Sequence, residues 1–407
     1  VKHHAIEWVK GLLKYGLGIG LLVYIIRQNW EPKGTNPGIQ GLLSQSPDGL
    51  NFAALATLAV ICYSIQFVRW YILVRALDLP FTLGAAFKLG LVGSFWNAFA
   101  PGSVGGDLVK GYYIAHGHPG RRASAVATVI ADRLVGLFGL IWFSAAFGIV
   151  FWLQGNACIC EKEYLKNIVR VCSGLTVAAV ASWIVLGLLS ASKADALAER
   201  LTALPQRILT AVGWLGRQVL PRAWGNRFAQ RLAGLSKRIG DVLSEIWYAV
   251  WTYRQRPKAI YATIAMTAVV HTMFVTMFHL AVRVFPAVDP APFPEHLVLI
   301  PIGYIAQAFF PAPGGVGGGE AIFGYLYTLL GRPEATGVIG RLTLRVNEWA
   351  IGILGLFFFL RMRAELHVVE EELEVAPLQP PHLGEAEKHE GPANFEVQND
   401  RLNQPVS

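Results

Sequence analysis

Apolar residues occur in long runs separated by short loops, and the loops alternate between strongly basic and nearly free of Lys and Arg. Six runs reach the ~18 residues that mark a membrane-spanning helix: 8–28, 51–77, 124–153, 168–189, 259–282 and 337–360. The period-two alternation of an outer-membrane barrel is absent, so the predicted fold is all-α and polytopic. Two further apolar stretches, 81–115 and 296–330, are each broken near the middle by proline and glycine, and each reads as a pair of half-helices.

Loop charge orients the runs. Lys10 and Lys14, then Arg69 and Arg75, then Arg121 and Arg122, and finally Arg361 and Arg363 all fall on one side. By the positive-inside bias that side is the cytoplasm, with both termini on it. The loop containing Cys158 and the proline-rich loop through Pro286, Pro290, Pro292 and Pro294 fall on the other side. The resulting expectation is six full spans plus two re-entrant hairpins that enter from opposite faces, an inverted arrangement. Each broken stretch crossing the bilayer as a full span remains the alternative. The first run lacks a small-residue cleavage site, so a retained span is expected there rather than a signal peptide.

The loop 190–258 is rich in Lys and Arg, and within it Leu197, Leu201, Leu204, Ile208 and Leu215 recur at helical spacing, as do Phe228, Leu232, Leu235, Ile239 and Ile246. Two readings fit: amphipathic helices lying on the inner leaflet, or a small cytoplasmic helical hairpin. Residues 1–362 form the predicted membrane domain. The segment 363–407, acidic at Glu370-Glu371-Glu372 and then rich in Pro, Gly, Gln and Asn, is expected to be disordered.

Composition agrees with a membrane protein: 54% of the 407 residues are hydrophobic and 15% charged, with a mean hydropathy of +0.43. The net charge of +8 suits anionic lipid or nucleic acid, but the basic residues flank apolar helices. Membrane lipids, anionic or phosphate-bearing, are therefore the expected partner and nucleic acid is not. The sequence leaves monomer and homo-oligomer both open. The four cysteines make no disulfide framework, since Cys62 and Cys172 sit inside apolar runs. No P-loop, nucleophile elbow or His-Glu-x-x-His occurs, so no metal, cofactor or catalytic residue is predicted. His271 and His279 read as packing or cavity residues.

The two breaks repeat one motif. Asn97, Pro101, Gly102, Gly105, Gly106 and Asp107 have counterparts in Pro313, Gly314, Gly315, Gly317 and Glu320. Irregular backbone at membrane depth must be enclosed by protein or line a polar cavity. Glycine N–H groups at the start of a half-helix suit an anionic headgroup, although tight packing also uses glycine. Asp107 and Glu320 could equally cap their helices or serve a pathway, since intramembrane carboxylates are costly and mark such routes. The next helix in each half carries charge: Asp132 and Arg133, then Arg341, Arg345 and Glu348. Arg133 and Arg341 are the candidates for phosphate contact. The alternative is internal pairing, Arg133 with Asp107 and Arg341 with Glu320.

This motif set, with Asp132-Arg133-Leu134 and Arg341, resembles the flippase-like family typified by the membrane domain of lysylphosphatidylglycerol synthase, the multiple peptide resistance factor. The likeness covers 8–362 and implies a helical domain that moves a lipid headgroup across the bilayer. Two departures stand out. Asp132-Arg133 replaces a pair that is often Glu-Arg in the family, and no aminoacyl-transferase domain fits in the tail, so lysyl transfer is not expected. A transferase or phosphatase acting on a lipid phosphate, with Asp107 or Glu320 as general base, is the competing function. An accessory subunit of an envelope glycolipid pathway is a third.

Overall fold

The computed structural model describes residues 2–34, 37–100, 105–188, 191–219, 222–285 and 290–375. Among them the chain is helical throughout and forms no sheet. The helices are α1 (Lys2–Gln28), α2 (Gly38–Leu43), α3 (Gly49–Ala76), α4 (Leu83–Phe99), α5 (Gly105–His116), α6 (Arg122–Leu153), α7 (Ala157–Cys160), α8 (Glu163–Leu188), α9 (Ala191–Val219), α10 (Arg222–Gln255), α11 (Pro257–Val284), α12 (Phe293–Ala308), α13 (Gly318–Leu329) and α14 (Glu334–Val375). Five are long and apolar enough to cross a membrane: α3, α6, α8, α11 and the Glu334–Met362 part of α14. The sixth expected span corresponds to α1, whose described apolar part is Tyr15–Gln28.

Local chemistry sets the boundaries. Asp48 caps α3 by accepting the N–H groups of Leu50 and Asn51, and Thr82 caps α4 by accepting from Ala85. Pro257 opens α11 at a position where its missing N–H is not needed.

Each broken stretch folds as a helical hairpin, α4 against α5 and α12 against α13. The arms have 17, 12, 16 and 12 residues, all short of the ~20 needed to cross a bilayer. The hairpins meet. The Gly314 turn of the second packs on Ala98 at the end of α4. Phe95 and Phe99 of α4 also stack on Phe359 and Trp349 of α14. Helix α1 covers the second turn, bringing Gly18 against Ala312 and Val316.

The buried core lies among α3, α6, α8, α11, α12 and α13, where Leu55, Phe143, Val169, Phe278, Leu299 and Phe323 are almost fully enclosed. His271 Nε2 lies 3.0 Å from the Gly136 carbonyl oxygen, and His279 Nδ1 lies 2.9 Å from His296 Nδ1. Helices α9 and α10 pack on each other as a hairpin, and α10 rests on α6. The pair leaves Leu204, Ile208, Val212, Trp214 and Leu235 exposed.

The acidic tail departs from expectation at its start. No glycine or proline interrupts the chain between Arg363 and Val375, so α14 continues helical through the glutamate cluster. The remaining tail, 376–407, lies outside the described residues. The chain divides into two units between Arg361 and Met362.

Candidate functional site

The first hairpin presents its carboxylate at the start of α5. The Gly106 N–H donates to Asn97 Oδ1 at 2.9 Å, so Asn97 fills the capping role considered for Asp107. The Gly93 carbonyl and the Asn97 side chain crowd Gly106 so closely that a Cβ there would have no room. Asp107 is thereby turned toward α6, where Arg133 Nε donates to its Oδ2. Arg133 Nη2 also reaches Asn97 Oδ1 at 3.4 Å, and Lys110 Nζ stands 3.8 Å from Asp107 Oδ1. Pro101 and Gly102, singled out in the sequence, lie outside the described residues.

The burial of this cluster is uneven. The Asp107 side chain is 9% exposed, whereas that of Arg133 is 49% exposed. Arg133 and Asp107 sit on the wall of a groove of about 640 Å³ between α5 and α6, lined by apolar residues such as Leu108, Tyr112 and Leu134, with His116 and Arg122 also on its lining. Arg133 lies eleven residues into α6, about 16 Å along it at 1.5 Å per residue.

Asp132 turns the other way. Arg69 Nε donates to Asp132 Oδ1 at 2.8 Å, and Arg69 Nη1 donates to Thr267 Oγ1 at 3.0 Å. Arg69 is buried, which corrects its reading as a charge marking the cytoplasmic end of the second span. Its signal was its position, more than one helical turn deeper in the apolar run than Arg75.

In the second hairpin Gly314, Gly315 and Gly317 adopt φ of 55°, 66° and 79°, a left-handed region that glycine enters without strain. Pro313 is buried at the start of this turn. Glu320 caps α13 by accepting the Gly317 N–H at 2.7 Å, and it also accepts from Arg345 Nε at 2.5 Å. Arg345 adds bonds to the carbonyls of Gly314 at 3.1 Å and Gly315 at 3.3 Å. Glu320 is thus both cap and ion-pair partner. The anticipated Arg341–Glu320 hydrogen-bonded pair does not form. Arg341 donates instead to Gln307 Oε1 at 2.9 Å and Glu348 Oε2 at 3.0 Å. Arg345 lies one helical turn, about 6 Å, further along the same face of α14 than Arg341, and this axial step places Arg345, not Arg341, beside the turn.

Arg345 is the structural counterpart of Arg133. Each lies eleven residues into its helix and pairs with the carboxylate that follows the break. Gln307, which also bonds the Gly314 carbonyl at 3.4 Å, was not singled out in the sequence.

No curated protein and no solved structure matches the chain. Residues 36–355 match the family profile of the lysylphosphatidylglycerol synthase TM region. They take in both hairpins, the spanning helices from α3 onward as far as residue 355, and every paired charge described above. The chain therefore belongs to the lysylphosphatidylglycerol synthase TM region family, a family of lipid-related membrane domains.

Proposed function

We propose that this protein is an inner-membrane lipid flippase that carries a phosphate-bearing headgroup across the bilayer, with both termini in the cytoplasm. In this reading the two hairpins are re-entrant from opposite faces. The observation that carries it is Arg133: an arginine with a half-exposed side chain, eleven residues into α6, on the wall of an apolar groove. A charge at such a depth costs about 2.5–3.5 kcal/mol on insertion scales, and residues that bear this cost mark pathways. Arg122 and His116 lie in basic sequence at the cytoplasmic end of α6 and α5, where an anionic headgroup would first be met. Deeper in, a phosphate oxygen competes with Asp107 for the planar fork of Arg133. Two cations, Arg133 and Lys110, face one carboxylate, which leaves a single positive charge to match a phosphodiester.

Asp107 and Glu320 accept hydrogen bonds from arginine in this conformation, which favours carrying over general-base chemistry. The test is transport of fluorescent phosphatidylglycerol in proteoliposomes, read by quenching of the outer leaflet. Wild type is expected to move the lipid, and Arg133→Lys, which keeps the charge but loses the fork, to lose most of that activity with unchanged thermal stability. Transport at the wild-type rate by Arg133→Lys overturns this reading.

A further inference from the structure

Arg341 has no surface exposure, and its Nη1 has no hydrogen-bond partner among the described residues. Leaving a buried donor unpaired costs about 1–3 kcal/mol, and more for a charged group, so such an atom calls for an acceptor. The other ends of this guanidinium are held by Gln307 and Glu348. Arg345, one turn away, is different: its three nitrogens all have acceptors and its side chain is 1% exposed.

Two phenols stand in the neighbourhood of Arg341. Tyr63 of α3 and Tyr304 of α12 lie within electrostatic range of each other, of Arg341 and of Glu348. Both are partly exposed, and among the described residues neither hydroxyl makes a hydrogen bond. Their rings are anchored, Tyr63 against Phe67 at 6.2 Å and Tyr304 against Phe274 at 5.2 Å and Phe323 at 5.5 Å. The Glu348 side chain is 27% exposed, so the outer edge of the cluster borders the surface while Arg341 lies beneath it.

We infer that Arg341 Nη1 and the hydroxyls of Tyr63 and Tyr304 form a second anion station, which takes the oxygens of a singly charged phosphodiester. The inference rests on the transport reading and adds a stop in the second half of the molecule. Arg341 and Glu348 cancel each other's charge, so three hydrogen-bond donors hold the ligand without a net positive field. That suits a site from which the headgroup must leave again. Arg345 and Glu320 take no part and serve to hold the glycine turn.

The experiment uses the full chain in detergent and two probes, dihexanoyl phosphatidylglycerol and inorganic phosphate, with bound molecules counted by native mass spectrometry. Wild type should bind two molecules of the lipid probe. Tyr63→Phe/Tyr304→Phe removes only the hydroxyls and should weaken one of the two binding events at least tenfold while leaving the melting temperature unchanged. Arg133→Lys should weaken the other. Tyr304→Phe alone should show an intermediate loss, and it serves in place of the double variant if that variant is poorly expressed. Competition by inorganic phosphate at the Tyr63/Tyr304-dependent event assigns the station to the phosphate itself; lack of competition assigns it to the whole headgroup. Two full-strength binding events in the Tyr63→Phe/Tyr304→Phe protein overturn the station. Insensitivity to Arg133→Lys alone overturns the first site and leaves the station standing.

Discussion

Arg345 Nε stands 2.5 Å from Glu320 Oε1, with the two side chains 1% and 0% exposed, and the same guanidinium bonds the two carbonyls of the glycine turn. One arginine therefore fixes both the charge and the backbone of the second hairpin.

Removing either partner strands a buried charge. Arg345→Gln or Glu320→Gln should each destabilise the protein by about 3–5 kcal/mol. The double substitution should recover part of that loss. Thermal unfolding in detergent checks the order of the three variants, and additive losses would show that the two residues do not act as a pair.

Glycine is required at Gly106 and not at Gly111. A methyl at Gly106 meets the Gly93 carbonyl and lies 2.7 Å from Asn97 side-chain atoms, so Gly106→Ala should cost about 1–3 kcal/mol. At Gly111 the nearest atoms are 3.9 Å away. Gly111→Ala should be neutral or stabilise α5 by up to about 1 kcal/mol through helix propensity. Melting temperatures of the two variants should move in different directions, or only the first should move.

Adjacent charges on α6 should fail in different ways. Arg69→Gln leaves Asp132 buried without its ion partner and should lower stability by about 3 kcal/mol or more. Arg133→Lys changes a half-exposed side chain and should lower lipid transport with little effect on unfolding. Measuring both properties on both variants separates support from transport.

The proposed orientation makes a labelling prediction. Gly120→Cys, in the loop between α5 and α6, should react with a membrane-impermeant thiol reagent only from the cytoplasmic face. Glu161→Cys, in the loop after α7, should react only from the opposite face. Cys158 and Cys160 of the same outer loop are first replaced by Ser, since Cys160 is partly exposed, whereas Cys62 and Cys172 are buried and should stay silent. Labelling of Gly120→Cys in intact cells would reverse the topology.

Much of this architecture was legible in the sequence because run length and glycine placement are local signals. The spans, the two breaks and the carboxylates that follow them each appear in one short window of residues. Pairing across helices is not local. Arg341, Arg345 and Glu348 share one face, and only the axial placement of α14 against α13 decides that Glu320 meets Arg345. Arg69 was legible as a charge in an apolar run, but its partner Asp132 lies 63 positions away. Tyr63 and Tyr304 carry no sequence signal, since a tyrosine in an apolar helix usually only packs.

Asp132 and Arg133 are neighbours in sequence, and each is engaged on its own side of α6, one by Arg69 and the other by Asp107. A swing of α6 about its axis would tear Asp132 from Arg69 inside the bundle. The two ion pairs therefore pin α6 against rotation from both sides.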